Sequence, residues 1–185
     1  MSENTAENKI LLDKAQLQAL IERMAGDVIE RLGTDEAPAL VGIQRKGRQL
    51  AQRLKQIIED KFGISPDLGT LDITMHRDDL HLVTNPIVRE SNITFDINNR
   101  EVVMIDDVLQ TGRSVRAALN AILDYGRTRH TQLLVLVDRG GRELPIQPDI
   151  CGMKIEAPDD LEVQVRFVED DGNDQVVITA KQSEK

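Results

Sequence analysis

The sequence predicts an α/β fold in which helices flank a parallel sheet. Three apolar runs, ALVGI at 39–43, VVMI at 102–105 and QLLVLV at 132–137, have the pattern of fully buried parallel strands. A strand, a helix and a second strand at this spacing require a parallel, right-handed crossover. The loops that follow the three runs therefore fall on the carboxyl edge of one sheet, where open α/β sheets bind ligands.

Length and composition restrict the class of protein. The 185 residues suit a single domain, 1–185, and the sequence has neither an internal repeat nor a twenty-residue apolar run. A polar, acidic start and a single cysteine, Cys151, predict a cytoplasmic protein with no membrane segment and no intramolecular disulfide. We interpret Cys151 as a small core residue. An aromatic content of 2% argues against binding of single-stranded nucleic acid by base stacking.

The net charge of −9 is unevenly distributed. Residues 40–62 carry six basic and two acidic side chains, whereas residues 156–174 carry eight acidic side chains and one arginine. We interpret the acidic segment as a solvated edge of the protein. The basic segment is suited to a polyanionic ligand.

The first helix is predicted mainly by its ends. Residues 1–9 have the composition of a frayed tail. Asp13 and Gln16 then match a capping box, and apolar residues at helical spacing continue to about Leu32, where Gly33 is a natural C-cap.

The loop after the first strand carries two cations and a glycine and leads into a second amphipathic helix. Its residues are Gln44, Arg45, Lys46 and Gly47. Pyrophosphate suits this loop because the cations supply charge and the glycine permits close approach of the backbone. Taken alone, the loop is as well explained by a solvated basic turn. A turn at 63–66 and a strand at 69–74 follow.

Residues 75–92 show no convincing periodicity, and loops of this length are usually lids or disordered segments. We predict a mobile flap that closes over bound substrate and keeps water out, with a flexible insertion as the alternative. His76 and His81 have no metal-ligand companions at suitable spacing and are interpreted as surface residues.

The central motif, VVMIDDVLQTGRS at 102–114, follows a predicted strand at 93–97. Asp106 and Asp107 end its strand, and their carboxylates can accept hydrogen bonds from vicinal hydroxyls. The loop N–H groups and the positive end of the next helix can hold a phosphate. The motif therefore predicts a sugar phosphate site. Separately, each half is also explained by a solvated strand end or an ordinary strand-to-helix loop.

The helix after this motif is predicted to begin with Ser114 as N-cap and to end at Gly126. Its apolar face comprises Val115, Ala118, Leu119 and Ile122. After the run at 132–137, the loop 138–142 lies at the same sheet edge as the other two. Alternation at 162–168, a turn at 171–172 and the run at 176–180 predict an antiparallel hairpin or added edge strands, interpreted as scaffold.

The motif IDDVLQTGRS resembles the phosphoribosyl pyrophosphate (PRPP) signature of type I phosphoribosyltransferases. The stretches LVGIQRKGRQLAQRL, LDITMHRDDL and VLVDRGGRELPI resemble the bifunctional pyrimidine operon attenuator and uracil phosphoribosyltransferase family, PyrR, and the likeness extends over residues 10–178. VDRGGRELPI separates this family from orotate, adenine and hypoxanthine transferases. The resemblance implies a type I phosphoribosyltransferase fold with a small hood built from terminal segments, in a homodimer or larger homo-oligomer.

The implied reaction is uracil plus PRPP giving UMP and pyrophosphate, with Mg²⁺ held chiefly by PRPP oxygens and by no protein ligand directly. The ribose hydroxyls would be bound by Asp106 and Asp107. The 5′-phosphate would be bound by Gln110, Thr111, Gly112, Arg113 and Ser114. The pyrophosphate would lie along Gln44, Arg45, Lys46 and Gly47. The flap would carry Arg77, Asp78 and Asp79. The uracil pocket would be shaped, largely through backbone groups, by Asp138, Arg139 and Gly140.

This chemistry requires positioning, charge stabilisation and exclusion of water, because displacement at an anomeric carbon passes through an oxocarbenium-like state. No nucleophilic side chain is required or evident, and the sequence does not identify a general base for uracil.

The chain departs from the family pattern at several positions. Gln110 and His76 stand where tyrosine is common. Regulatory members present a basic concave face to pyrimidine operon mRNA, and we expect polar or basic residues where this chain has Glu22, Gly26, Gly141, Gln147 and Met153. Part of such a face could remain in Arg23, Arg31, Arg142 and Lys154. The alternatives to the enzyme are therefore an RNA-binding attenuator that responds to UMP with little turnover, and a phosphoribosyltransferase for another base.

Overall fold

The computed structural model describes residues 9–33, 37–79 and 88–181. The elements of these ranges, in chain order, are β1 (Lys9–Leu12), α1 (Lys14–Leu32), β2 (Ala39–Ile43), α2 (Lys46–Phe62), β3 (Asp67–Leu71), a 3₁₀ turn (Thr74–His76), β4 (Glu101–Leu109), α3 (Arg113–Ile122), β5 (His130–Asp138), β6 (Ile150–Lys154), β7 (Leu161–Arg166), α4 (Val168–Asp171) and β8 (Gln175–Ala180). None of the helices in these ranges is long and apolar enough to cross a membrane.

The main sheet has five parallel strands in the order β3-β2-β4-β5-β6, which confirms the predicted α/β fold. All five residues of β2 are buried, as are most of β4 and β5. Alternate side chains enter two cores: Leu40, Val103 and Ile105 pack with α1 and α2, whereas Val41 and Met104 pack with α3. Helices on both faces therefore explain the continuous apolar runs of these strands.

Helix α1 begins with the predicted capping box. The Asp13 carboxylate accepts from the backbone N–H of Gln16 at 2.9 Å, and the Gln16 side chain accepts from the backbone N–H of Asp13 at 3.0 Å. The helix ends at Leu32, and Gly33 follows with a φ of 76°. Both ends therefore lie where the sequence predicted them.

Strands β1, β8 and β7 form a separate antiparallel sheet, which confirms the predicted C-terminal hairpin. We call this sheet together with α4 the hood. Lys9 belongs to β1, so the prediction of a frayed tail through residue 9 was wrong at its last position. The interpretation of the acidic segment as a solvated edge was also wrong in part, because acidic residues at and beside α4 bind cations of α2.

Among the described residues of α2, Arg53 makes the most side-chain hydrogen bonds to the hood. Its guanidinium donates to Glu169 at 3.0 and 2.6 Å and to Asp174 at 2.6 Å, and it lies 4.6 Å from the centre of the Phe167 ring. The Arg53 side chain is 15% exposed and that of Asp174 is 10% exposed. Little water therefore screens the attraction between these two charges.

We expect Arg53→Gln to lower the free energy of unfolding by about 1.5–3 kcal/mol, because it removes charged hydrogen bonds from a poorly hydrated position. Partial burial raises the pKa of Asp174, but hydrogen bonds from Arg53 and a backbone N–H outweigh it and leave that pKa below its usual value. The stabilisation from the Arg53–Asp174 contact is therefore present above the pKa that Asp174 has in the unfolded state, and it is lost as pH falls through the pKa that Asp174 has in the folded state. Urea denaturation at pH 7 and in acid measures both effects.

Arg31→Gln is the matched control. Its partner Asp149 lies 3.3 Å away, and the Arg31 side chain is 49% exposed, so we expect a loss of no more than about 1 kcal/mol. Equal losses for the two variants would contradict the assignment of Arg53 as the principal contact with the hood.

Two predicted strands differ from the structure. The strand predicted at 69–74 is β3 at Asp67–Leu71, and the chain then enters the 3₁₀ turn. The prediction of a strand at 93–97 was wrong: only Asn92 pairs with a neighbour, forming a bridge to Thr70. Ile93 and Phe95 pack against the core, so the alternation reflects side-chain burial without a ladder of backbone hydrogen bonds.

The limits of α3 also differ from the prediction. The helix starts at Arg113 with Gly112 as N-cap, not with Ser114, because Gly112 has a φ of 90° and turns the chain into the helix. It ends at Ile122 rather than at Gly126, since three successive backbone N–H groups bond to carbonyls three residues earlier. Leu119, predicted to be on the apolar face, is 39% exposed.

The sequence analysis missed β6, the fifth strand of the main sheet. It contains Gly152 and ends in Lys154, so it lacks the apolar run of the central strands. Gly152 is needed because a Cβ there would collide with the carbonyl oxygen of Leu136 and lie 2.8 Å from Met24 Sδ. Cys151 is half-buried and packs at the margin of the core, as a free thiol.

Candidate functional site

The three predicted loops meet at the carboxyl ends of β2, β4 and β5. A Cβ on Gly47 would lie well under 3.0 Å from the carbonyl oxygen of Ile105, so α2 starts in direct contact with the end of β4. The backbone N–H of Arg139 donates to the carbonyl of Leu109 at 3.0 Å. The carbonyl of Thr111 accepts from backbone N–H groups at residues 143 and 144. The loops at 44–47, 106–114 and 138–142 are therefore fixed to one another.

Asp106 and Asp107 lie at the centre of this edge. Asp106 is 8% exposed, and its carboxylate accepts from the backbone N–H of Asp107 at 3.0 Å. Burial, together with the charge of Asp107, raises the pKa of Asp106 well above its usual value. Burial also raises the pKa of Asp107, although backbone N–H groups and the nearby charge of Lys46 partly oppose this. In the described part of the chain, neither carboxylate forms an ion pair with lysine or arginine.

A cavity of about 290 Å³ opens on one side of the acidic pair. It is lined by residues 106–112 and 114–115, by Arg139, and by Glu162 and Val163 of β7. Within the described ranges, the backbone N–H groups of Thr111 and Gly112 have no hydrogen-bond acceptor. Free N–H groups beside a helix N-terminus are suited to an anion such as phosphate.

A second cavity, of about 300 Å³, is lined by the same two carboxylates. It is also bordered by Ile43, Gln44, Asp72, Ile73, Thr74, Arg77, Arg89, Val108 and Ser114. The acidic pair therefore lines two polar cavities, one that reaches the hood and the 110–114 loop and one that reaches Gln44 and the start of the predicted flap. A sugar on the carboxylates could extend a charged group into each.

The 44–47 loop divides its cations between two environments. Lys46 is 15% exposed and binds Asp170, 3.4 Å away, and Asp171 of the hood. Arg45 is exposed and forms no ion pair with any described residue. Gln44 donates to the backbone carbonyl of Glu90 at 2.9 Å, and the peptide bond from Gln44 to Arg45 is cis. Arg45 is therefore the freer charge of this loop.

Asp138 and Arg139, at the end of β5, are 7% and 3% exposed. Asp138 accepts from the backbone N–H of Gly140 at 3.1 Å and binds Arg142 at 2.7 Å. The Arg139 guanidinium donates to the carbonyls of Ala157 and Pro158. These side chains hold the loop in place, so its backbone and the edge of the cavity are well positioned for a small planar ligand.

The sequence analysis interpreted the C-terminal strands as scaffold and so missed the contribution of β7 to the cavity. Glu162 and Val163 form part of the wall opposite the 110–114 loop. Their alternating pattern predicted a strand, but only the packing of the hood on α1 and α2 brings that strand to the cavity. No local signal in the sequence could have indicated this placement.

Residues 77–79 of the predicted flap bind one another and the 110–114 loop. Arg77 donates to Asp79 at 2.8 and 2.6 Å. Asp78 accepts from Arg113 at 2.6 Å, and this hydrogen bond lowers the pKa of Asp78. His76 is half-buried beside Asp124, and His81 lies outside the described residues, as do all of positions 80–87.

The four cations that could form an RNA-binding face have different surroundings. Arg23 binds Asp27 and the carbonyl of Gly152, each at 2.6 Å. Arg31 pairs with Asp149, and Lys154 is exposed. Arg142 is 16% exposed and binds carbonyls and Asp138 within the site loops. In the described structure, then, the face of α1 and β6 carries acidic as well as basic groups.

The described ranges hold no cluster of three or more His, Cys, Asp or Glu residues that could bind a metal ion. The two carboxylates at the sheet edge could contribute oxygens to a divalent cation that is already bound by a ligand rich in phosphate oxygens.

Known proteins resemble this chain in sequence and in fold. The phosphoribosyl transferase domain model matches residues 7–169. The chain is 43% identical over 172 residues to the bifunctional protein PyrR of Syntrophobacter fumaroxidans, covering 92% of each chain. It is 46% identical over 169 residues to that of Pelotomaculum thermopropionicum, covering 91% of this chain and 93% of the other. Hypoxanthine phosphoribosyltransferase from Trypanosoma cruzi, solved with the product IMP, has the same fold, with a TM-score of 0.71, 14% identity, and coverage of 98% of this chain and 97% of that one.

Proposed function

The chain belongs to the phosphoribosyltransferase family and, within it, to the PyrR proteins, and from this membership we propose that it transfers the phosphoribosyl group of PRPP to uracil. The products are UMP and pyrophosphate. One observation carries the proposal: a pair of carboxylates, Asp106 buried and Asp107 half-buried, with no cation paired to either among the described residues, lines two polar cavities. PRPP has the matching form, a diol-bearing sugar between two phosphate groups.

Asp106 and Asp107 bind the ribose in this proposal. Two adjacent buried carboxyl groups resist ionising together, as their raised pKa values indicate. The 2′- and 3′-hydroxyls supply two hydrogen-bond donors to the pair and so stabilise its ionised form. The sugar is thereby fixed, and its developing positive charge lies close to negative groups.

The two ends of PRPP then extend into the two cavities. The 5′-phosphate accepts from the backbone of residues 110–114, where free N–H groups and the start of α3 favour an anion. The pyrophosphate lies along residues 44–47, beside Arg45. Uracil enters between the 138–140 loop and β7, and its ring lies in the part of the first cavity that these segments line.

The chain's own residues position the partners and exclude water while the bond from the anomeric carbon to pyrophosphate breaks. In this proposal the predicted flap closes over the sugar, and the hydrogen bond between Arg113 and Asp78 supports its residues 77–79 beside the 110–114 loop. We infer that Mg²⁺ accompanies PRPP, held mainly by phosphate oxygens, and that it neutralises charge on the departing pyrophosphate.

The alternative function is regulation through pyrimidine operon mRNA. RNA affinity depends on cations that are free to meet phosphates. Arg23 is paired with Asp27, Arg142 is turned into the site, and the same face carries acidic groups. These contacts favour the enzyme as the principal function. UMP-stimulated RNA binding that weakens steeply with salt would instead support the attenuator. Cytoplasmic location and a homo-oligomeric state stay predictions.

Turnover with a panel of bases tests the proposal. The purified protein is incubated with PRPP, Mg²⁺ and either uracil, cytosine, orotate, adenine or hypoxanthine, and nucleotide and pyrophosphate are quantified. We expect UMP and pyrophosphate in equal amounts with uracil and little product with the other bases. A preference for another base would replace uracil as the substrate, and no product with any base would reject the enzymatic function.

A further inference from the structure

The cations near the pyrophosphate side of the site differ in what they bind. Lys46 binds two hood aspartates, and Arg77 makes two hydrogen bonds to Asp79. Arg89, by contrast, makes no side-chain hydrogen bond or ion pair with any described residue. Its guanidinium is therefore available for a ligand, although the sequence analysis gave it no role.

Arg89 borders the second cavity, the one that also contacts Asp106 and Asp107. It borders a further cavity of about 370 Å³ together with Arg45, Arg48 and Asp170. Arg89 thus lies where the space beside the acidic pair continues towards the 44–47 loop. A polyanion in the second cavity would meet Arg89 on one side and the 44–47 loop on the other.

Asp72 fixes the backbone at Arg89. Its carboxylate accepts from the backbone N–H of Arg89, from the backbone N–H of Thr74 at 2.8 Å and from the Thr74 hydroxyl at 2.5 Å. The backbone N–H of Asp72 donates to Ser91 at 2.8 Å, and Asn92 bridges to β3. The segment that carries Arg89 is therefore attached at Arg89 itself and on its C-terminal side.

Asp72 stays ionised in this arrangement. Partial burial raises its pKa, but hydrogen bonds from Thr74 and from the Arg89 backbone N–H outweigh burial, and the pKa lies below its usual value. This carboxylate accepts from three donors and so fixes the backbone. The nearby Arg89 charge also contributes to the lowered pKa of Asp72, but the two side chains form no ion pair among the described residues.

We propose that Arg89 binds the pyrophosphate group of PRPP and that Asp72 positions it for this contact. The proposal rests on the proposed function, and it adds Arg89, near the C-terminal end of the predicted flap of residues 75–92, to the pyrophosphate site. Arginine suits this role because its planar guanidinium can donate two parallel hydrogen bonds to phosphate oxygens. UMP has no pyrophosphate, so Arg89 contributes to binding of PRPP and pyrophosphate but not to binding of UMP.

Calorimetric titration of Arg89→Gln tests the assignment. With Mg²⁺ present, we expect the Kd values of PRPP and of pyrophosphate to rise about ten- to a hundredfold, as for loss of hydrogen bonds to a charged group. The Kd of UMP and the melting temperature should remain within about twofold and about 2 °C of the wild type. Arg89→Lys should recover part of the loss because it keeps the charge.

Arg48→Gln is the matched control. Like Arg89, Arg48 has no side-chain partner among the described residues and lies beside the 370 Å³ cavity, but it does not border the cavity of the acidic pair. We expect its PRPP affinity to change less than threefold. Asp72→Asn, like Arg89→Gln, should weaken the binding of PRPP and of pyrophosphate and leave the binding of UMP intact. KM for PRPP should rise by a larger factor than kcat falls.

Two outcomes would overturn the inference. Equal PRPP and pyrophosphate affinities for the wild type and Arg89→Gln would remove Arg89 from the site. A parallel loss of UMP binding and melting temperature would show a structural role instead. If the wild type itself fails to bind PRPP, the proposed function fails, and this result is distinct from either of the other two.

Discussion

Replacement of both Asp106 and Asp107 with asparagine should lower kcat/KM for PRPP by about 10²- to 10⁴-fold. Each carboxylate is assigned a hydrogen bond from a ribose hydroxyl, and hydrogen bonds to charged groups contribute about 1.5–3 kcal/mol each. Asparagine keeps the shape of the side chain but removes the charge that stabilises the developing oxocarbenium ion. Steady-state kinetics with saturating uracil measure the loss, which should appear in kcat as well as in KM.

The single variant Asp106→Asn separates loss of function from loss of folding. Burial raises the pKa of this carboxyl above its usual value of 3.8. The folded state therefore loses stability relative to the unfolded state as pH rises from that value through the folded-state pKa. At neutral pH the variant should melt higher than the wild type, by about 2–4 °C for each kcal/mol of relieved strain. This gain should vanish near pH 4.

An inactive variant with a raised melting temperature would thus support a charge retained for function. A variant that turns over PRPP normally would refute the ribose assignment. A variant that melts far below the wild type would show that the carboxylate stabilises the fold.

Gly47→Ala should abolish turnover and destabilise the protein by about 3 kcal/mol or more. The new Cβ would lie against the carbonyl oxygen of Ile105 and within 3.2 Å of the Asp106 Cα, both of which are backbone atoms. Neither can move without displacing the end of β4, and overpacking of this kind commonly costs 1–3 kcal/mol or more. Urea denaturation and PRPP turnover measure the two effects.

Gly26→Ala is the control for this variant. Gly26 lies inside α1, and a Cβ there would meet no atom within 4 Å. Alanine in place of glycine in a helix interior should stabilise the protein by about 0.5–1 kcal/mol with normal turnover. A Gly47→Ala protein as stable and active as Gly26→Ala would show that the 44–47 loop is not packed against the acidic pair as described.

Much of the fold could be predicted because its signals are local. The runs at 39–43 and 102–105 are apolar throughout and the run at 132–137 is apolar after Gln132, since helices cover both faces of their sheet. The capping box of Asp13 and Gln16 lies within a single turn of helix. The carboxyl-edge rule then places the loops after these strands together without any knowledge of tertiary contacts.

The features that were missed depend on contacts between distant segments. β6 forms by pairing with β5, with Gly152 packed closely against Leu136 and Met24, and no apolar run marks it. Lys46 and Arg53 bind acidic residues more than a hundred positions away, so the charge pattern alone suggested a free basic surface. The role proposed for Arg89 could be inferred only from the folded structure, in which Asp72 binds its backbone N–H and the residue borders the cavity of the acidic pair. Sequence patterns report burial and turns, whereas these pairings are set by the folded chain.

A crystal structure of the protein with PRPP and Mg²⁺ tests the central claim most directly. We expect the ribose hydroxyls within hydrogen-bond distance of Asp106 and Asp107, the 5′-phosphate on the backbone of residues 110–114, and the pyrophosphate between the 44–47 loop and Arg89. PRPP bound elsewhere, or bound with its ribose away from both carboxylates, would contradict it.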